Sequence, residues 1–227
     1  MKPSLRAVML AAALAMVMTP AGAKDTAIAP YYLAPGAVEL TQLLAPPPNL
    51  DSPLEQYDEK KIAVVLGART DADLARAAVD QNRSIFVFSD VLGNGFAAER
   101  LPLTAALFRH VGADTEALIE RAKAYFARPR PAGARQTHGS YPSGHAAFAS
   151  CAAILLGQMV PEKRGAIFAR ADIFAESRIV AGVHYPSDVE AGWISGTVIA
   201  AALMRDPRFL EDFSAAKAEV RRVLSLT

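Results

Sequence analysis

The octapeptide Gly139-Ser-Tyr-Pro-Ser-Gly-His-Ala146 stands directly before an uncharged, largely apolar run that continues to residue 160. Pro142 and Ser143 are typical of a helix start, because proline fits the first turn and serine caps free backbone N–H groups. The apolar run predicts a helix in which Cys151 is a small buried side chain. The stretch therefore predicts an apolar helix with a polar N-terminus.

The start of this helix also has the chemistry of an anion site. Gly144 permits close approach, so free backbone N–H groups and the Ser143 hydroxyl would point at one spot, as at helix N-termini that bind anions. His145 would lie in the first turn beside the anion. An ordinary capped helix with a surface histidine explains these residues equally well. A serine-hydrolase elbow does not fit, since Tyr141 and His145 occupy positions where Gly-x-Ser-x-Gly requires glycines.

A second polar stretch, residues 177–188, contains Arg178, His184 and Asp188. Pro186 marks a helix start, which puts His184 just before the helix and Asp188 in its first turn. Asp188 could then accept a hydrogen bond from one imidazole nitrogen and leave the other free as nucleophile or base. A structural His–Asp hydrogen bond is an equal alternative, and Arg178 taken alone suggests a surface salt bridge.

A third polar stretch holds two cations at the end of a predicted helix over residues 115–127. Lys123 lies on the last turns, and Pro129 and Pro131 hold Arg130 in extended backbone. A rigid guanidinium suits bidentate binding of phosphate or carboxylate, and a lysine adds a point charge. Taken alone, a basic helix C-terminus that complements the helix dipole is the simpler interpretation.

The rest of the chain is predominantly helical in pattern. Cap residues and apolar spacing predict further helices over residues 53–69, 70–81, 103–111, 191–204 and from Pro207 onward, with Asp114 as the N-cap of 115–127. Residues 85–88 alone have strand propensity, and one strand makes no sheet. Residues 191–204 are too few to span a membrane, and Gly192 and Gly196 would let a neighbouring helix approach closely. The sequence predicts an all-α fold, a single-domain helical bundle.

Residues 1–23 have the pattern of a cleaved secretory signal, with Lys2 and Arg6, an apolar run and Ala21-Gly22-Ala23. The apolar run is shorter than the roughly 20 residues of a membrane anchor. We therefore expect a periplasmic or secreted protein with no membrane span after cleavage. Pro-rich residues 24–52 predict an extended arm, and residues 53–227 the helical domain.

Composition excludes several classes of protein. The chain has 227 residues, 24 Lys+Arg, 23 Asp+Glu and one cysteine. One cysteine supplies neither an internal disulfide nor a thiolate zinc cluster. The near-neutral charge argues against a nucleic-acid partner, which would require a clustered basic excess.

Together, the three polar stretches read Lys-x6-Arg-Pro, Pro-Ser-Gly-His and Ser-Arg-x5-His-x3-Asp in chain order. This order resembles the signature of the type 2 phosphatidic acid phosphatase superfamily, and the octapeptide is most similar to secreted bacterial class A non-specific acid phosphatases. The resemblance implies the helical fold of the acid phosphatase/vanadium haloperoxidase type and overrides the strand at 85–88. The intervening segment 132–141 is shorter than the family's usual spacing, which leaves substrate size open and places Arg135 and His138 at the pocket rim.

The resemblance implies an acid phosphatase that hydrolyses phosphoric monoesters through a phosphohistidine. His184 would attack phosphorus, Asp188 would orient it, and His145 would protonate the leaving oxygen and then activate water. The implied substrate-binding residues are Lys123, Arg130, Ser143, Gly144 and Arg178. No metal or other cofactor is implied, phosphate or vanadate would inhibit, and a homo-oligomer is compatible with the family.

The sequence is compatible with three alternatives. The same anion cradle suits a vanadate-dependent haloperoxidase, and related enzymes hydrolyse lipid phosphates or isoprenyl diphosphates. A phosphate carrier without enzymatic activity would use the cations but has no use for a His184–Asp188 pair together with His145.

Overall fold

The structure is a computed structural model that describes residues 29–136 and 138–226. The predicted signal peptide, and residues 24–28 of the predicted arm, lie outside the described residues. Regular structure in the described part is helical and contains no strand, which confirms the all-α class. The α-helices in chain order are α1 Leu40–Leu43, α2 Pro53–Ala68, α3 Asp71–Val79, α4 Ser89–Leu92, α5 Pro102–Phe126, α6 Gly144–Met159, α7 Arg164–Val180, α8 Pro186–Leu203 and α9 Pro207–Val223.

Helix α6, which follows the octapeptide, lies at the centre of the bundle. Thirteen of its 16 residues are buried, so other elements cover it on every side. Helices α7 and α8 make its main contacts, and α5 and α9 add to them. Cys151 is fully buried on α6 and burial raises the pKa of its thiol, in agreement with the predicted apolar role.

Two glycines of α8 allow it to lie very close to α6. A Cβ on Gly192 would lie 2.6 Å from the carbonyl oxygen of Ser143, and one on Gly196 would overlap Ser150 Oγ and the carbonyl of Ala147. No side chain fits at either position without moving α8. The predicted close approach at these glycines is confirmed, and it places the start of α8 beside the start of α6.

Local cap signals located most helix ends correctly. Ser52 caps α2 by accepting from the Glu55 N–H, and Thr70 forms a capping box at the start of α3. Asp206 accepts from the Phe209 N–H at 2.9 Å at the start of α9. These helices were predicted to within two residues at their starts. None of the described helices is both long and apolar enough to cross a membrane.

Helix α5 corrects one prediction. The sequence predicted two helices, over 103–111 and 115–127, whereas the structure has one helix, Pro102–Phe126. Gly112 lowers helix propensity without ending a helix, because an isolated glycine costs only about 1 kcal/mol against alanine. The predicted break at Asp114 is wrong for that reason.

Asp114 caps the N-terminal arm instead of a helix. Its buried carboxylate accepts backbone N–H groups of Tyr31 at 2.8 Å, Tyr32 at 3.1 Å and Leu33 at 3.1 Å. The Tyr31 ring stacks on the imidazole of His110, with centroids 3.5 Å apart. The arm is thereby held against α5 from more than 80 residues away in sequence.

Residues Ile85–Phe88 form a 3-10 helix, so the strand propensity of this segment was misleading. Ser84 caps the turn by accepting from the Phe86 N–H, and Ile85 and Phe88 are buried. Apolar burial, which both a strand and a tight helical turn achieve, explains these residue types.

Candidate active site

Backbone hydrogen bonds bring the three polar stretches of the sequence together. The Ser143 N–H donates to the carbonyl of Asp188 at 2.9 Å, which joins the start of α6 to the first turn of α8. The Ser140 N–H donates to the carbonyl of Arg128 at 2.8 Å, which joins the octapeptide to the segment after α5. Stretches that are up to 60 residues apart in sequence therefore share one site.

His184 and Asp188 form the predicted pair at the start of α8. His184 Nδ1 lies 3.3 Å from Asp188 Oδ2, and the same oxygen accepts the Tyr185 N–H at 2.9 Å. Both side chains are buried. A carboxylate accepts only, so the proton of a neutral imidazole belongs on Nδ1 and the lone pair on Nε2.

Arg130 faces the other nitrogen of this imidazole. Its Nη1 lies 3.2 Å from His184 Nε2 and donates to the Val183 carbonyl at 2.8 Å, while Nε donates to the His138 carbonyl at 3.2 Å. The arginine is thus held by backbone on both sides of its guanidinium. Asp188, His184 and Arg130 form one continuous chain of contacts.

Burial and neighbouring charges set the ionisation of the pair. Burial lowers the pKa of His184 despite the opposing effect of Asp188, so the imidazole stays neutral to lower pH than an ordinary histidine. Burial alone would raise the pKa of Asp188, but its interactions with His184 and Arg128 outweigh burial and hold that pKa below its usual value. A neutral imidazole beside a carboxylate is the form that can act as a nucleophile.

His145 lies in the first turn of α6, with Nε2 3.0 Å from the carbonyl oxygen of Gln81. A carbonyl only accepts, so Nε2 carries a proton and Nδ1 is the nitrogen that titrates. Burial, followed by the charge of Arg178, lowers the pKa of His145 to about 3. In the free protein the imidazole is therefore neutral above about pH 3.

Two buried cations, Lys123 and Arg178, also belong to the site. Lys123 Nζ pairs with Glu120 at 2.8 Å, and burial lowers the pKa of its ammonium. Burial also lowers the pKa of Arg178, whose side chain is 6% exposed and donates from Nη1 to the Ala77 carbonyl at 3.4 Å. Within residues 29–136 and 138–226, Arg178 Nε is the only buried side-chain nitrogen or oxygen without a hydrogen-bond partner. An unsatisfied buried guanidinium N–H is a donor for an anion.

The N-terminus of α6 faces these cations. Ser143 is the N-cap, and its Oγ accepts from the Ala146 N–H at 3.4 Å. A Cβ on Gly144 would lie 4.0 Å from Lys123 Nζ, so the glycine keeps the space between the helix start and the lysine open. The structure thus gathers all eight residues that the sequence indicated, through direct contacts or through mutual electrostatic effects.

Arg128 belongs to the site and was not interpreted from the sequence. Its Nη1 donates to Asp188 Oδ1 at 2.7 Å and to Ser187 Oγ at 2.8 Å. Its Nη2 donates to Glu55 at 2.7 Å and to Asp58 at 2.9 Å. Ser187 Oγ also donates to the Asp58 carboxylate, so α2 supports the start of α8. The sequence signal was the first arginine of Arg128-Pro129-Arg130-Pro131, but its partners on α2 are about 70 residues away.

Residues 132–136 and 138–141, between α5 and α6, contain side-chain and backbone partners of Arg130. Gln136 holds the segment to the chain after α5, since its Oε1 accepts the Arg130 N–H at 2.9 Å and its Nε2 donates to the Arg130 carbonyl at 3.1 Å. His138 Nδ1 lies 3.7 Å from Glu120 with the imidazole largely exposed, and Arg135 is exposed as well.

A helical bundle that gathers cations, a helix N-terminus and two histidines in one site can bind an anionic group. The chain belongs to the PAP2 superfamily, whose family model matches residues 103–211. That range contains all three polar stretches.

Relatives that match most of the chain are named as phosphatases. Acid phosphatase from Zymomonas mobilis is 31% identical over 201 residues, which cover 79% of this chain and 74% of that protein. Non-specific acid phosphatase from Salmonella typhimurium is 27% identical over 211 residues, covering 85% and 84%. The crystal structure of a transmembrane PAP2-type phosphatidylglycerolphosphate phosphatase from Bacillus subtilis superposes with a TM-score of 0.52 at 17% identity, covering 71% of this chain and 87% of that one, a likeness of fold alone. The protein is a phosphatase enzyme of this superfamily.

Proposed function

We propose that this protein is an acid phosphatase that hydrolyses phosphoric monoesters through a phosphohistidine at His184, without a metal ion. The observation that carries the proposal is the chain of contacts from Asp188 through His184 to Arg130. It holds a neutral imidazole with its Nε2 lone pair directed at a cation that a phosphoryl oxygen would share. The lowered pKa values of His184 and Asp188 keep the nucleophile neutral and its carboxylate ionised in acid.

In the first step, His184 Nε2 attacks phosphorus and the bond from phosphorus to the ester oxygen breaks. Lys123, Arg130 and Arg178, with Ser143 Oγ and the Gly144 N–H, would hold the phosphoryl oxygens and stabilise the charge of an in-line transfer. Asp188 stabilises the positive charge that develops on the imidazole. His145, which takes up a proton on Nδ1 when the phosphoryl group binds, gives that proton to the departing alkoxide.

In the second step, water attacks the phosphohistidine and the phosphorus–nitrogen bond breaks. His145 removes a proton from that water, so the residue that acted as acid becomes base. Inorganic phosphate leaves, and His184 returns to its neutral form with the proton still on Nδ1. The stoichiometry requires only water and the ester.

Trapping the intermediate tests the proposal. Enzyme mixed with labelled aryl phosphate and quenched in alkali should carry one base-stable, acid-labile phosphoryl group on wild type and none on His184→Ala. Asp188→Asn should slow turnover with the fold intact. Turnover should survive EDTA; loss of activity that zinc or magnesium restores would overturn the metal-free route, and normal activity of His184→Ala would overturn the nucleophile.

A vanadate-dependent haloperoxidase is the second candidate, because the unsatisfied Arg178 Nε and the cations that would hold a phosphoryl group would also hold vanadate. Bromide oxidation with peroxide and vanadate, measured beside hydrolysis of p-nitrophenyl phosphate, separates the two. A phosphate carrier would bind phosphate and hydrolyse none of these esters. To test the lipid phosphatase alternative, turnover of a lipid phosphate is compared with turnover of soluble phosphate esters.

We also propose a periplasmic or secreted location. Its support is the signal-like pattern of residues 1–23 together with the secreted class that the octapeptide resembles. Fractionation of the native host, with the mature N-terminus sequenced, tests it. A mature chain beginning after Ala23 is expected, and an enzyme retained in the cytoplasm would contradict it.

A further inference from the structure

Arg83 is a cation beside the anion cradle that none of the three polar stretches contains. Its guanidinium Nη1 lies 3.7 Å from the position that a Cβ on Gly144 would take, and Lys123 Nζ lies 4.0 Å from the same point. Its Nη2 donates to the Glu116 carboxylate at 2.8 Å. Arg83 and Lys123 therefore flank the start of α6 together.

Arg83 lies on the His145 side of the site. Gln81, two residues earlier in the chain, accepts the Nε2–H of His145 at 3.0 Å. The positive charge of Arg83 lowers the pKa of His145 and of Lys123, whereas the cation in contact with His184 is Arg130. If His145 protonates the leaving oxygen, Arg83 is on the leaving-group side.

Arg83 is also nearer to solvent than the residues of the cradle. Its side chain is 31% exposed, against 10% for Lys123. A cation in this outer position can reach a group next to the phosphoryl group while the buried cations hold the phosphoryl oxygens. Its guanidinium presents a donor fork that matches phosphate and carboxylate oxygens.

We propose that Arg83 is a specificity-determining residue that binds negative charge on the leaving group. The favoured substrates would be phosphoric anhydrides, and esters that carry a phosphate or carboxylate close to the scissile oxygen. This proposal rests on the proposed hydrolysis. Bond changes are those of the ester reaction: His184 Nε2 bonds to phosphorus, the phosphorus–oxygen bond breaks, and for pyrophosphate the departing orthophosphate takes the proton of His145.

Glu116 would act as the counter-ion that an anionic leaving group displaces. It holds Arg83 in place in the free enzyme and competes with the substrate for the same guanidinium donors. Removing its charge while keeping its size should therefore strengthen binding of anionic leaving groups and leave neutral ones unaffected.

The test compares two substrates, both assayed in EDTA. The leaving group of pyrophosphate carries negative charge on oxygens other than the scissile one, whereas that of phenyl phosphate carries none. Arg83→Gln should lower kcat/KM for pyrophosphate about tenfold more than for phenyl phosphate, the size expected for loss of a charge-assisted hydrogen bond. Arg121→Gln is the matched control. Arg121 lies on α5, as Glu116 does, and forms an exposed ion pair with Glu39. It should leave the ratio of the two substrates unchanged.

A second variant distinguishes the proposal from misfolding, because it is expected to gain activity on pyrophosphate. Glu116→Gln should raise kcat/KM for pyrophosphate relative to phenyl phosphate, and in the Arg83→Gln background this gain should vanish. Equal losses on both substrates in Arg83→Gln, with no gain in Glu116→Gln, would overturn the proposal. Absence of phenyl phosphate hydrolysis by wild type would instead overturn the proposed function on which it rests.

Discussion

The Arg128 guanidinium donates to Asp188 Oδ1 at 2.7 Å, on the carboxylate oxygen that His184 does not use. Oδ2 accepts hydrogen bonds from His184 Nδ1 and from the Tyr185 N–H, so both carboxylate oxygens are held by hydrogen bonds. Such a carboxylate cannot rotate away from the imidazole. Helix α2 extends the support, because Asp58 accepts from Arg128 and from the Ser187 N–H at 3.1 Å.

We expect Arg128→Lys to separate positioning from substrate binding. A lysine ammonium cannot bridge Asp188 and the carboxylates of α2 as the fork does. kcat should fall about tenfold or more with KM little changed, which is the pattern for an interaction needed mainly in the transition state. Because Arg128 helps to keep the pKa of Asp188 low, the acid limb of the pH–rate profile should move to higher pH.

The control for this variant is Arg221→Lys on α9. Its arginine pairs with Glu162 and donates to the carbonyl of Met159, at the opposite end of α6 from His145. It should retain wild-type kcat and its pH profile. An Arg128→Lys enzyme that loses thermal stability but keeps kcat and the acid limb would show that the arginine serves the fold only.

We expect Asp114→Ala to release the N-terminal arm. The substitution leaves buried N–H groups of residues 31–33 without an acceptor, at a cost of about 1–3 kcal/mol for a single such group. The free energy of unfolding, from urea titration, should fall by at least that amount, and limited proteolysis should cut within residues 29–38. Unchanged stability would mean that water replaces the carboxylate at this contact.

The pH dependence of this contact has a definite sign. Burial raises the pKa of Asp114 above its usual value, although the three N–H groups oppose the shift. A carboxyl whose pKa is raised on folding binds protons more tightly in the folded state, so its contribution to stability grows as pH falls through that pKa. Asp114→Asn should remove this part of the pH dependence.

The contacts of these residues also show how far sequence reasoning reaches. Helix starts at Ser52 and Asp206 were predictable because a cap and the N–H group it accepts are three residues apart. The function of Asp114 was not, since the same residue type caps a helix or an arm, and its partners lie more than 80 residues away. The ion pairs of Arg128 and Arg83 were not predictable for the same reason, because an ion pair between distant segments leaves no local pattern.

We expect Gly196→Ala to destabilise the bundle far more than an ordinary helix substitution. A Cβ there would overlap Ser150 Oγ and the carbonyl of Ala147, so α8 has to move away from α6. Overpacking of this kind costs about 1–3 kcal/mol or more. The melting temperature should fall, and kcat with it, because Asp188 and His145 are carried by the two separated helices.

Gly67→Ala is the matched control for that substitution. Gly67 lies in α2, and a Cβ there meets nothing within 4 Å. Alanine is favoured over glycine in a helix by about 1 kcal/mol, so this variant should be as stable as wild type or more so. Equal melting temperatures for the two variants would show that α6 and α8 do not depend on their close approach.

We expect His145 to gain its proton when the site binds an anion. Its pKa of about 3 in the free protein reflects burial and the charge of Arg178, so between about pH 4 and 6 the free imidazole is neutral. A bound phosphate adds negative charge beside those cations and raises the pKa, which makes the acid form available only in the complex. Binding should then take up a proton.

Calorimetric titration with inorganic phosphate at about pH 5, repeated in buffers of different ionisation enthalpy, measures that uptake. Wild type should take up more protons per phosphate than His145→Gln, and the difference should approach one, because protonation changes of the phosphate itself are common to both proteins. At lower pH, near the pKa in the free protein, the difference should shrink, since the free imidazole is already protonated. Equal uptake by the two proteins would show that His145 stays neutral in the complex and cannot protonate the leaving oxygen.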